Sequence, residues 1–535
     1  MLRALAKKSV FGHVTAHARC ISTNYVTTPI FYPNAEPHVG HLYSMVLADV
    51  IKRYNCLNGK EAYLLTGIDE HGLKIQTAAE KHKLQPKALC DKLAEKFKHL
   101  AEVGNIDNNR FMRTTDADHI DTVNDMWAKL VSAGFIYKGS HSGYYCVSDE
   151  TYYPRDKCHE VDGKLVSIET GKEVEWTEEE NYFFRLSAMR DKLLEFYAAN
   201  PSFVMPKDVY KGIVDEVLRD LPDLSISRPK SRLSWGIPVP GDGSQVVYVW
   251  LDALVNYATA QGFGTVSEAV HIVGKDIQRF HAIYWPAFLL AAGIQPPKSV
   301  LVHSHWISEG QKMSKSIGNV VDPVHVIAKY GADSVRFLLM CDGHLHKDND
   351  FTETKIAEKH NTMLVNKLGN LLMRITSAKF DLVESLKEPQ QKTVDEMAEF
   401  FGPEFTTTRN ELIRALKELP EVYKEDMARG STPKTITDLY YVINLANKHV
   451  EETKPWSFKE KEIPAMILRE AAETARIALI LMQPFTPEFA AKGLDRLGVK
   501  EDRRTMEWTE LYRDADYGEG KNYKGGYPIQ RIQTE

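Results

Sequence analysis

The sequence lacks the features of several special classes of protein. No uninterrupted apolar run approaches the roughly 18 residues of a membrane-spanning helix, and the longest candidates lie around Ile477–Met482 and Ala287–Ile294. The six cysteines include no C-x-x-C pair, which argues against a disulfide scaffold and a regular four-thiolate zinc site. We therefore expect a protein of a reducing compartment, without a membrane segment and without a protein-bound metal.

Neither sign of charge dominates. Lys and Arg number 67 and Asp and Glu 73, a formal net charge of −6, so this is not a polycation that coats nucleic acid indiscriminately. A nucleic-acid partner would need a local basic surface. The 535 residues are 26% charged and 43% hydrophobic, which excludes disordered and fibrous proteins and suggests three or four domains of about 150 residues each.

Acidic residues are absent from the first 35 positions, where the chain-wide frequency predicts about five. The same stretch contains the basic residues Arg3, Lys7, Lys8 and Arg19. An amphipathic, cationic, acid-free segment is typical of mitochondrial presequences. We therefore predict that residues 1–23 are a targeting presequence, cleaved near residues 20–23.

Short β-branched or apolar runs alternate with helical stretches from Asn24 onward, which predicts a parallel α/β sheet. The predicted strands are Tyr25–Thr28, Ala62–Thr66, Val246–Trp250, Val270–Val273 and Val300–His303. Polar or aromatic residues follow these runs. In open α/β sheets, ligands bind beyond the carboxyl ends of the strands, so we expect these segments to converge on one site.

The first connection contains Pro37-His38-Val39-Gly40-His41, followed by apolar residues at helical spacing. His38 and His41 would share one face of the first helical turn, where unpaired N–H groups and the helix dipole favour phosphate. Gly40 would let a ligand approach the backbone. Two histidines at such a place can also serve only to cap the helix or to pack in the core, so this motif alone is weak evidence.

A second motif, Lys312-Met313-Ser314-Lys315-Ser316, lies between Gly310 and Gly318. Lysines on such a loop can close over a triphosphate and neutralise charge that develops in a transition state. An isolated five-residue sequence of this kind is usually a solvated basic loop. When this motif follows the histidine motif in the same chain, however, the two together are strong evidence for a triphosphate-binding site.

Together with four further segments, these two motifs resemble those of the class I methionyl-tRNA synthetases. The further segments are Leu65–Gly72, Trp235–Pro240, Tyr248–Leu254 and Gly274–Pro286. The last of these contains Asp276, His281 and Trp285. With the leader, the chain resembles the mitochondrial type. The resemblance extends from about Asn24 to beyond Trp456, and it implies activation of methionine with ATP to methionyl-adenylate, followed by transfer to the terminal adenosine of tRNA(Met).

The resemblance also implies roles for individual residues. It assigns catalytic roles to His38, His41, Lys312 and Lys315. It assigns ATP contacts to His38, His41, Gly274, Asp276, His303 and Lys315. Mg²⁺ would arrive with ATP, with few protein ligands. Asp276 could instead cap a helix over Ile277–Trp285.

Methionine is unbranched, polarizable and uncharged, so a pocket for it needs aromatic walls that can contact sulfur. The resemblance assigns this pocket to Ile30, Tyr32, Asp69, Trp250, Tyr257, His281 and Trp285. Among them Asp69 would pair with the substrate ammonium. The spacing of Trp250, Leu254 and Tyr257 is also that of a buried helical face.

We expect a Rossmann-like catalytic domain split by a connective insertion and followed by an α-helical bundle that reads the anticodon. The predicted parts are the presequence at 1–23, the catalytic halves at 24–137 and 181–304, the insertion at 138–180, the lysine-loop and stem-contact module at 305–353, and the helical domain with its tail at 354–535. Only Cys146 and Cys158, with His159 adjacent, remain where relatives carry zinc knuckles, so we expect no zinc.

The same resemblance assigns the anticodon contacts to Asn370, Arg374 and Trp456. Asn and Arg offer hydrogen bonds to base edges, and an exposed Trp can stack on an unpaired base, although Trp456 could also fill the core of the bundle. The implied partners are tRNA(Met), methionine and ATP, for a monomer of the mitochondrial matrix that does not bind membranes.

Other class I enzymes share parts of this pattern. Synthetases for isoleucine, valine or leucine carry a large editing insertion, whereas only 105 residues separate Gly134 from Val239. A cysteine-specific enzyme would need zinc ligands in its pocket. A small nucleotidyltransferase would have no use for a helical domain that bears Arg374 and Trp456.

A noncatalytic mitochondrial RNA-binding or splicing helper that descends from such an enzyme is the alternative from another class. Retention of His38, His41, Asp69 and Lys315 argues against loss of activity.

The acid-free leader generates a testable prediction. The protein purified from mitochondria should begin near residues 20–23 when its N-terminus is sequenced, because the amphipathic cationic segment is removed after import. Detection of intact Met1 in that material would contradict cleavage.

Overall fold

The computed structural model describes residues 23–146, 151–308, 310–313, 318–387, 391–459, 462–519 and 528–533, and only the backbone at residues 141, 151, 312, 391–394 and 462–464. Most of the predicted presequence and Lys315 therefore lie outside the described residues.

The strands are short and most of them lie in the first 350 residues. They are β1 Tyr25–Phe31, β2 Tyr63–Ile68, β3 Arg110–Arg113, β4 Ile136–Cys146, β5 Thr151–Tyr153, β6 Cys158–Val161, β7 Lys164–Ser167, β8 Glu175–Phe184, β9 Val204–Met205, β10 Leu224–Ser225, β11 Ser227–Pro229, β12 Pro238–Val239, β13 Asp242–Val247, β14 Ala269–Gly274, β15 Ser299–His303, β16 Trp306–Ser308, β17 Gln311–Lys312 and β18 Asn349–Asp350.

The helices alternate with the strands at first and then continue without them. They are α1 Val39–Leu57, α2 Leu73–His82, α3 Pro86–Val103, α4 Ala117–Ser132, α5 Arg190–Ala199, α6 Lys207–Arg219, α7 Val249–Gln261, α8 Trp285–Ala291, α9 Pro323–Tyr330, α10 Ala332–Asp342, α11 Glu353–Lys359, α12 Asn370–Ile375, α13 Leu382–Ser385, α14 Gln391–Phe401, α15 Pro403–Ala428, α16 Thr432–Thr453, α17 Glu462–Met482 and α18 Pro487–Leu497. Two segments, Phe280–Tyr284 and His360–Gly369, are π-helical.

The central sheet is parallel throughout, in the order β3-β2-β1-β14-β15-β9. Its central strands β2, β1, β14 and β15 are buried on both faces, which explains their continuous apolar runs. One apolar core covers the face that carries α1, α3 and α10, and a second covers the face that carries α4, α7 and α8. This architecture confirms the predicted Rossmann-like class.

One predicted strand is wrong. The run Val246–Trp250 does not enter the parallel sheet: β13 ends at Val247 and pairs antiparallel with β11 and β12, and α7 begins at Val249. A short apolar run that is buried looks the same in a strand and in a helix, because periodicity cannot separate them. Conversely, the pattern missed β3, in which two of the four residues are arginines, and β9, which has only two residues.

The insertion is built on a long antiparallel pair, β4 with β8, extended by β10 and β5 in a sheet of order β10-β8-β4-β5. A separate hairpin joins β6 to β7. Cys146 and Cys158 are buried in a small apolar cluster with Tyr153 and Val174. In the described part of this insertion, apolar packing therefore surrounds the two thiols.

The second half of the chain is helical. Helices α15, α16 and α17 pack on one another, and their apolar faces continue the core that lies under α1 and α10. In the described part of the chain, no helix is both long enough and apolar enough to span a bilayer. The helical second domain that the sequence predicts is thus present, and its core is continuous with the core on one face of the sheet.

A buried arginine joins the two halves. Arg336 of α10 is 1% exposed, and its Nη2 donates to Asp49 Oδ2 at 2.6 Å and to the Pro484 carbonyl oxygen at 2.8 Å. Its Nη1 donates to the carbonyl oxygens of Gly104 and Asn105. Asp49 belongs to α1, so one guanidinium ties the first helix of the sheet to the helical domain.

Removal of this guanidinium should destabilise the protein. We predict that Arg336→Met lowers unfolding stability by about 3–5 kcal/mol, because Asp49 and several carbonyl groups lose a buried partner. The measurement is the urea midpoint of far-UV circular dichroism. Lys329→Met is the control, since Lys329 forms an exposed pair with Glu353 whose loss should cost no more than about 1 kcal/mol. Equal midpoints for the two variants would contradict the role of Arg336.

Candidate active site

A cleft of about 420 Å³ opens at the carboxyl ends of β1 and β14. These two strands are neighbours at the centre of the sheet, and the chain leaves them in opposite directions, to β2 and to β15. Such a switch point leaves a crevice between the diverging connections. Eleven of the predicted site residues line it: Ile30, Tyr32, His38, His41, Asp69, Trp250, Tyr257, Gly274, Asp276, His281 and His303.

Two histidines form the cap of α1. His38 is the N-cap residue, and its Nδ1 accepts the backbone N–H of Gly40 at 3.1 Å. His41 Nδ1 accepts the backbone N–H of His38 at 3.0 Å, which completes a capping box. The capping function and the ligand function predicted for this motif therefore coexist. Because both Nδ1 atoms accept, both rings in their neutral form carry the proton on Nε2.

The surroundings of His41 keep it neutral. Its ring packs edge-on against Phe31 and Phe97, at centroid distances of 5.0 and 5.2 Å, and stacks on His38 at 3.8 Å. Burial, with a smaller contribution from His38, lowers the pKa of His41 well below the usual 6.5. The start of α1 thus presents polarised N–H groups without a full positive charge.

His303, at the end of β15, has both ring nitrogens engaged. Its Nδ1–H donates to the Ser304 carbonyl oxygen at 3.0 Å, and its Nε2 accepts from the Ser44 hydroxyl at 2.8 Å. Burial lowers the pKa of His303 to about 4. His303 therefore forms a neutral wall of the cleft, held to α1 through Ser44.

Gly274 ends β14 where the backbone must pass close to other groups. A Cβ at this position would lie 2.7 Å from Asp276 Oδ1, so a side chain would displace that carboxylate. Asp276 lies in a short 3₁₀ turn, and His305 Nε2 approaches its Oδ1 at 3.2 Å. The carboxylate faces the imidazole across the opening of the cleft.

Aromatic rings form the other end of the cleft. Trp250, on α7, stacks on Phe280 with ring centroids 3.5 Å apart and planes 9° apart. The Tyr257 hydroxyl donates to His281 Nε2 at 2.6 Å, and His281 Nδ1–H donates to the Ile277 carbonyl oxygen at 2.9 Å. His281 is thus neutral, and burial lowers its pKa to about 4.

Trp285 does not line the cleft. It is fully buried behind Tyr257, with the ring centroids 6.1 Å apart. Tyr257 also stacks on His271 at 4.0 Å. Trp285 therefore supports the wall of the slot from behind.

A carboxylate and an amine lie beside the aromatic end. Asp69 is 2% exposed, and its backbone N–H donates to the Phe31 carbonyl oxygen, which joins the end of β2 to that of β1. Lys74, at the start of α2, lies over the Tyr32 ring at 5.0 Å. Among the described residues that line the cleft, Asp69 and Lys74 join Glu36 and Asp276 as acidic or basic side chains other than histidine.

The lysine loop borders the cleft. Lys312 belongs to β17, where its backbone pairs with Ile307 of β16, and Met313 and Val320 line the opening. Nothing is described of the Lys312 side chain, and Lys315 is outside the described residues. The described residues on either side of this loop, Met313 and Val320, lie at the rim of the site.

The three predicted anticodon residues lie in the helical domain. The Arg374 guanidinium lies 5.7 Å from the Trp456 ring centroid and pairs with Glu451 at 3.1 Å. Trp456 is 43% exposed, so it does not fill the core of the bundle. Asn370 begins α12, one helical turn before Arg374. The geometry leaves the Trp456 ring partly exposed, beside a guanidinium that is already paired with Glu451.

Sequence reasoning missed Phe280, Ser44 and His305. Phe280 directly precedes His281, and Ser44 follows His41 by three positions, so helical spacing could have suggested Ser44. Nothing local pointed to the Trp250–Phe280 stack, which joins segments 30 residues apart.

Metal ligands are not clustered in the described part of the chain, where no group of three or more His, Cys, Asp or Glu side chains could hold an ion. The pair Cys146 and Cys158 therefore has no described companions that fit a four-ligand zinc site.

Comparison with known proteins agrees with this geometry. A family model described as "tRNA synthetases class I (M)" matches residues 24–376, and one described as "Anticodon binding domain of methionyl tRNA ligase" matches residues 401–520. The chain is 42% identical to the mitochondrial methionine–tRNA ligase of Candida albicans, over 95% of this chain and 96% of the relative. It is 40% identical to the mitochondrial methionine–tRNA ligase of Homo sapiens, over 92% and 86%.

A solved structure is similar over most of its length. The Mycobacterium tuberculosis methionyl-tRNA synthetase in complex with methionyl-adenylate superposes with a TM-score of 0.85, at 37% sequence identity, over 92% of this chain and 97% of that chain.

The buried histidines generate a testable prediction. His41, His281 and His303 should stay neutral when the pH falls from about 7 to about 5.5, because burial lowers all three pKa values. In the unfolded chain they would bind protons near pH 6.5, so folding stability should fall as the pH drops from about 6.5 towards 4. Nitrogen-15 NMR of histidine-labelled protein measures this, with added free histidine as the internal standard. Titration of these three rings together with free histidine would contradict the prediction.

Proposed function

The chain belongs to the class I methionyl-tRNA synthetase family, and we propose that it activates methionine with ATP and transfers it to tRNA(Met). The observation that best supports this proposal is that one cleft brings together the helix-capping histidines, an aromatic slot and a buried carboxylate.

Two steps follow from this chemistry. In the first, a carboxylate oxygen of methionine attacks the α-phosphorus of ATP, and the bond to the β-phosphate oxygen breaks to release pyrophosphate. In the second, a hydroxyl oxygen of the terminal adenosine of tRNA attacks the methionyl carbonyl carbon, and AMP leaves. The protein mainly positions the reactants and stabilises charge, since neither step needs a covalent enzyme intermediate.

The phosphates would bind at the start of α1. The neutral Nε2–H groups of His38 and His41 act as hydrogen-bond donors, and the dipole of a 19-residue helix adds partial positive charge. Lys312 and Lys315 would supply full positive charge from the rim as negative charge builds on the departing pyrophosphate. Mg²⁺ would arrive with ATP and supply further charge neutralisation on the phosphates.

The adenosine would lie along the end of β14. The missing side chain of Gly274 allows close approach, the Asp276 carboxylate can accept hydrogen bonds from ribose hydroxyls, and His303 forms a flat neutral wall.

Methionine would occupy the aromatic end. Asp69 pairs with its ammonium, while Ile30, Tyr32, Trp250 and the Tyr257–His281 pair surround the thioether. Trp285 acts indirectly, by holding Tyr257 in place. A neutral slot of polarizable rings favours an uncharged thioether over charged side chains.

The tRNA anticodon would bind at Asn370, Arg374 and Trp456. An exposed indole next to a guanidinium can stack on an unpaired base and donate hydrogen bonds to its edge.

The cellular setting extends the same proposal. Two similar proteins are named mitochondrial, and together with the acid-free leader this supports action in the mitochondrial matrix. We further propose that the domains follow the boundaries expected from the sequence and that the protein acts as a monomer without resident zinc.

Exchange of radiolabelled pyrophosphate into ATP tests the first step. Purified protein should catalyse this exchange with methionine and at least about 100-fold less with the other nineteen amino acids, because the neutral aromatic slot is shaped for a thioether. A preference for isoleucine, valine, leucine or cysteine would contradict the assignment in favour of another class I enzyme. Absence of exchange with every amino acid would instead favour a noncatalytic RNA-binding helper.

The anticodon assignment makes a separate prediction. Trp456→Ala should raise KM for tRNA(Met) about 10-fold or more, through lost stacking on a base, while methionine-dependent exchange stays unchanged. Tyr441→Ala, which removes another exposed aromatic side chain of the same domain, is the control. Equal losses of exchange and aminoacylation in Trp456→Ala would refute the assignment.

A further inference from the structure

A buried carboxylate bridges two histidines outside the cleft. Asp252 Oδ2 accepts from His71 Nδ1–H at 2.7 Å, and Asp252 Oδ1 accepts from His119 Nε2–H at 2.7 Å. The side chains of Asp252 and His119 are completely buried, and that of His71 is 7% exposed. None of these three residues lines the cleft, so none is placed to touch a substrate.

The three bridged residues come from three separate segments. His71 follows β2 in the loop that carries Asp69, and Asp252 lies in the first turn of α7, two residues after Trp250. His119 lies in α4, which contributes no residue to the cleft. The carboxylate therefore joins the two segments that carry the ammonium-binding and thioether-binding groups, and fastens both to a helix outside the site.

The loop that carries Asp69 and His71 is also held by other contacts. Glu70 accepts from Arg113 Nε at 2.7 Å, and the Glu70 carbonyl oxygen accepts from Trp235 Nε1 at 2.5 Å. His119 Nδ1 lies 3.0 Å from Thr259 Oγ1, and Thr259 is two residues beyond Tyr257 on α7. Because the loop is anchored in this way, the bond from His71 to Asp252 links α7 directly to the segment that carries Asp69.

Packing alone already holds α7 in the core, through Leu251, Leu254, Val255 and Ala258. A buried polar cluster adds little net stability compared with apolar residues of the same shape, but its hydrogen bonds restrict position and rotation. Burial by itself would raise the pKa of Asp252, but the two histidines outweigh it, so that pKa is lowered and the carboxylate is ionised at neutral pH. Two hydrogen bonds that leave one carboxylate in different directions restrict both the position of α7 along its axis and its rotation about that axis.

We propose that Asp252 is a positioning residue of the methionine site, which sets the distance between the Asp69 carboxylate and the Trp250 ring through His71 and His119. This inference rests on the proposed function. The distance between these two groups determines the length of the amino acid that fits, so Asp252 contributes to specificity without contact with the substrate. The hydrogen bonds described for His71, His119 and Asp252 do not reach the proposed ATP-binding groups on α1 and β14.

The test compares methionine with ATP in pyrophosphate exchange. Asp252→Asn keeps the shape but removes the charge and one acceptor, and it should raise KM for methionine about 10-fold or more while KM for ATP stays within about twofold. The preference for methionine over ethionine, which is one methylene longer, should fall as well. A purely structural defect would instead change both KM values together.

Conservative variants of the histidines supply matched controls. Asn can replace the Nδ1–H of His71 and Gln the Nε2–H of His119, so His71→Asn and His119→Gln should retain KM for methionine within about threefold. His71→Leu and His119→Leu should reproduce the effect of Asp252→Asn. If Asp252→Asn does not fold, as judged by thermal melting, the Gln and Leu variants of His119 decide the question by the same comparison.

Each outcome bears on one claim. An unchanged KM for methionine and an unchanged ethionine preference in Asp252→Asn, or a parallel rise in KM for ATP, would overturn the positioning role while leaving the proposed function intact. A wild-type protein without methionine-dependent exchange would overturn the proposed function and this inference with it.

Discussion

The parallel pairing of β1 with β14 is the contact on which the site depends. Tyr25, Val26 and Thr27 pair with residues 269–271, more than 240 positions away along the chain. Because the chain leaves these neighbouring strands towards opposite edges of the sheet, their carboxyl ends border a crevice. The start of α1 and the Gly274 turn are the two walls of that crevice, so a groove for a nucleotide is a consequence of strand order, and the side chains then determine what it binds.

The chemistry of the cleft relies on neutral polar groups more than on charge. The capping box orients the rings of His38 and His41 and fixes their tautomer, while Ser44 and Tyr257 occupy one nitrogen of His303 and His281 respectively. Burial lowers the pKa values of His41, His281 and His303, so these rings add no full positive charge to the cleft. In the proposed function, full positive charge comes from Lys312 and Lys315. This division is suited to a reaction in which charge develops at the transition state, since strong binding of the substrate itself would not raise the rate.

Local sequence patterns predicted the elements of the fold well where the environment of a segment is uniform. The strands around Val26, Leu64, Val270 and Val300 are buried on both faces, and their apolar runs are visible in the sequence. The run at Val246–Trp250 was assigned wrongly because a helix that is buried all round shows the same composition. The family resemblance assigned Trp285 to the methionine pocket, but its ring is buried beside Tyr257 and does not line the cleft, since a motif match carries no information about depth.

The sequence by itself determined the class of fold, the histidine cap, the identity of the aromatic residues and the helical second domain, because each is encoded in a contiguous motif or a regular period. Only the tertiary structure decided which aromatic ring faces Trp250, which nitrogen of each histidine is engaged, and that Asp252 joins His71 to His119. These features depend on contacts between residues up to 181 positions apart. Such contacts are created by the packing of complete elements, and no local pattern specifies them.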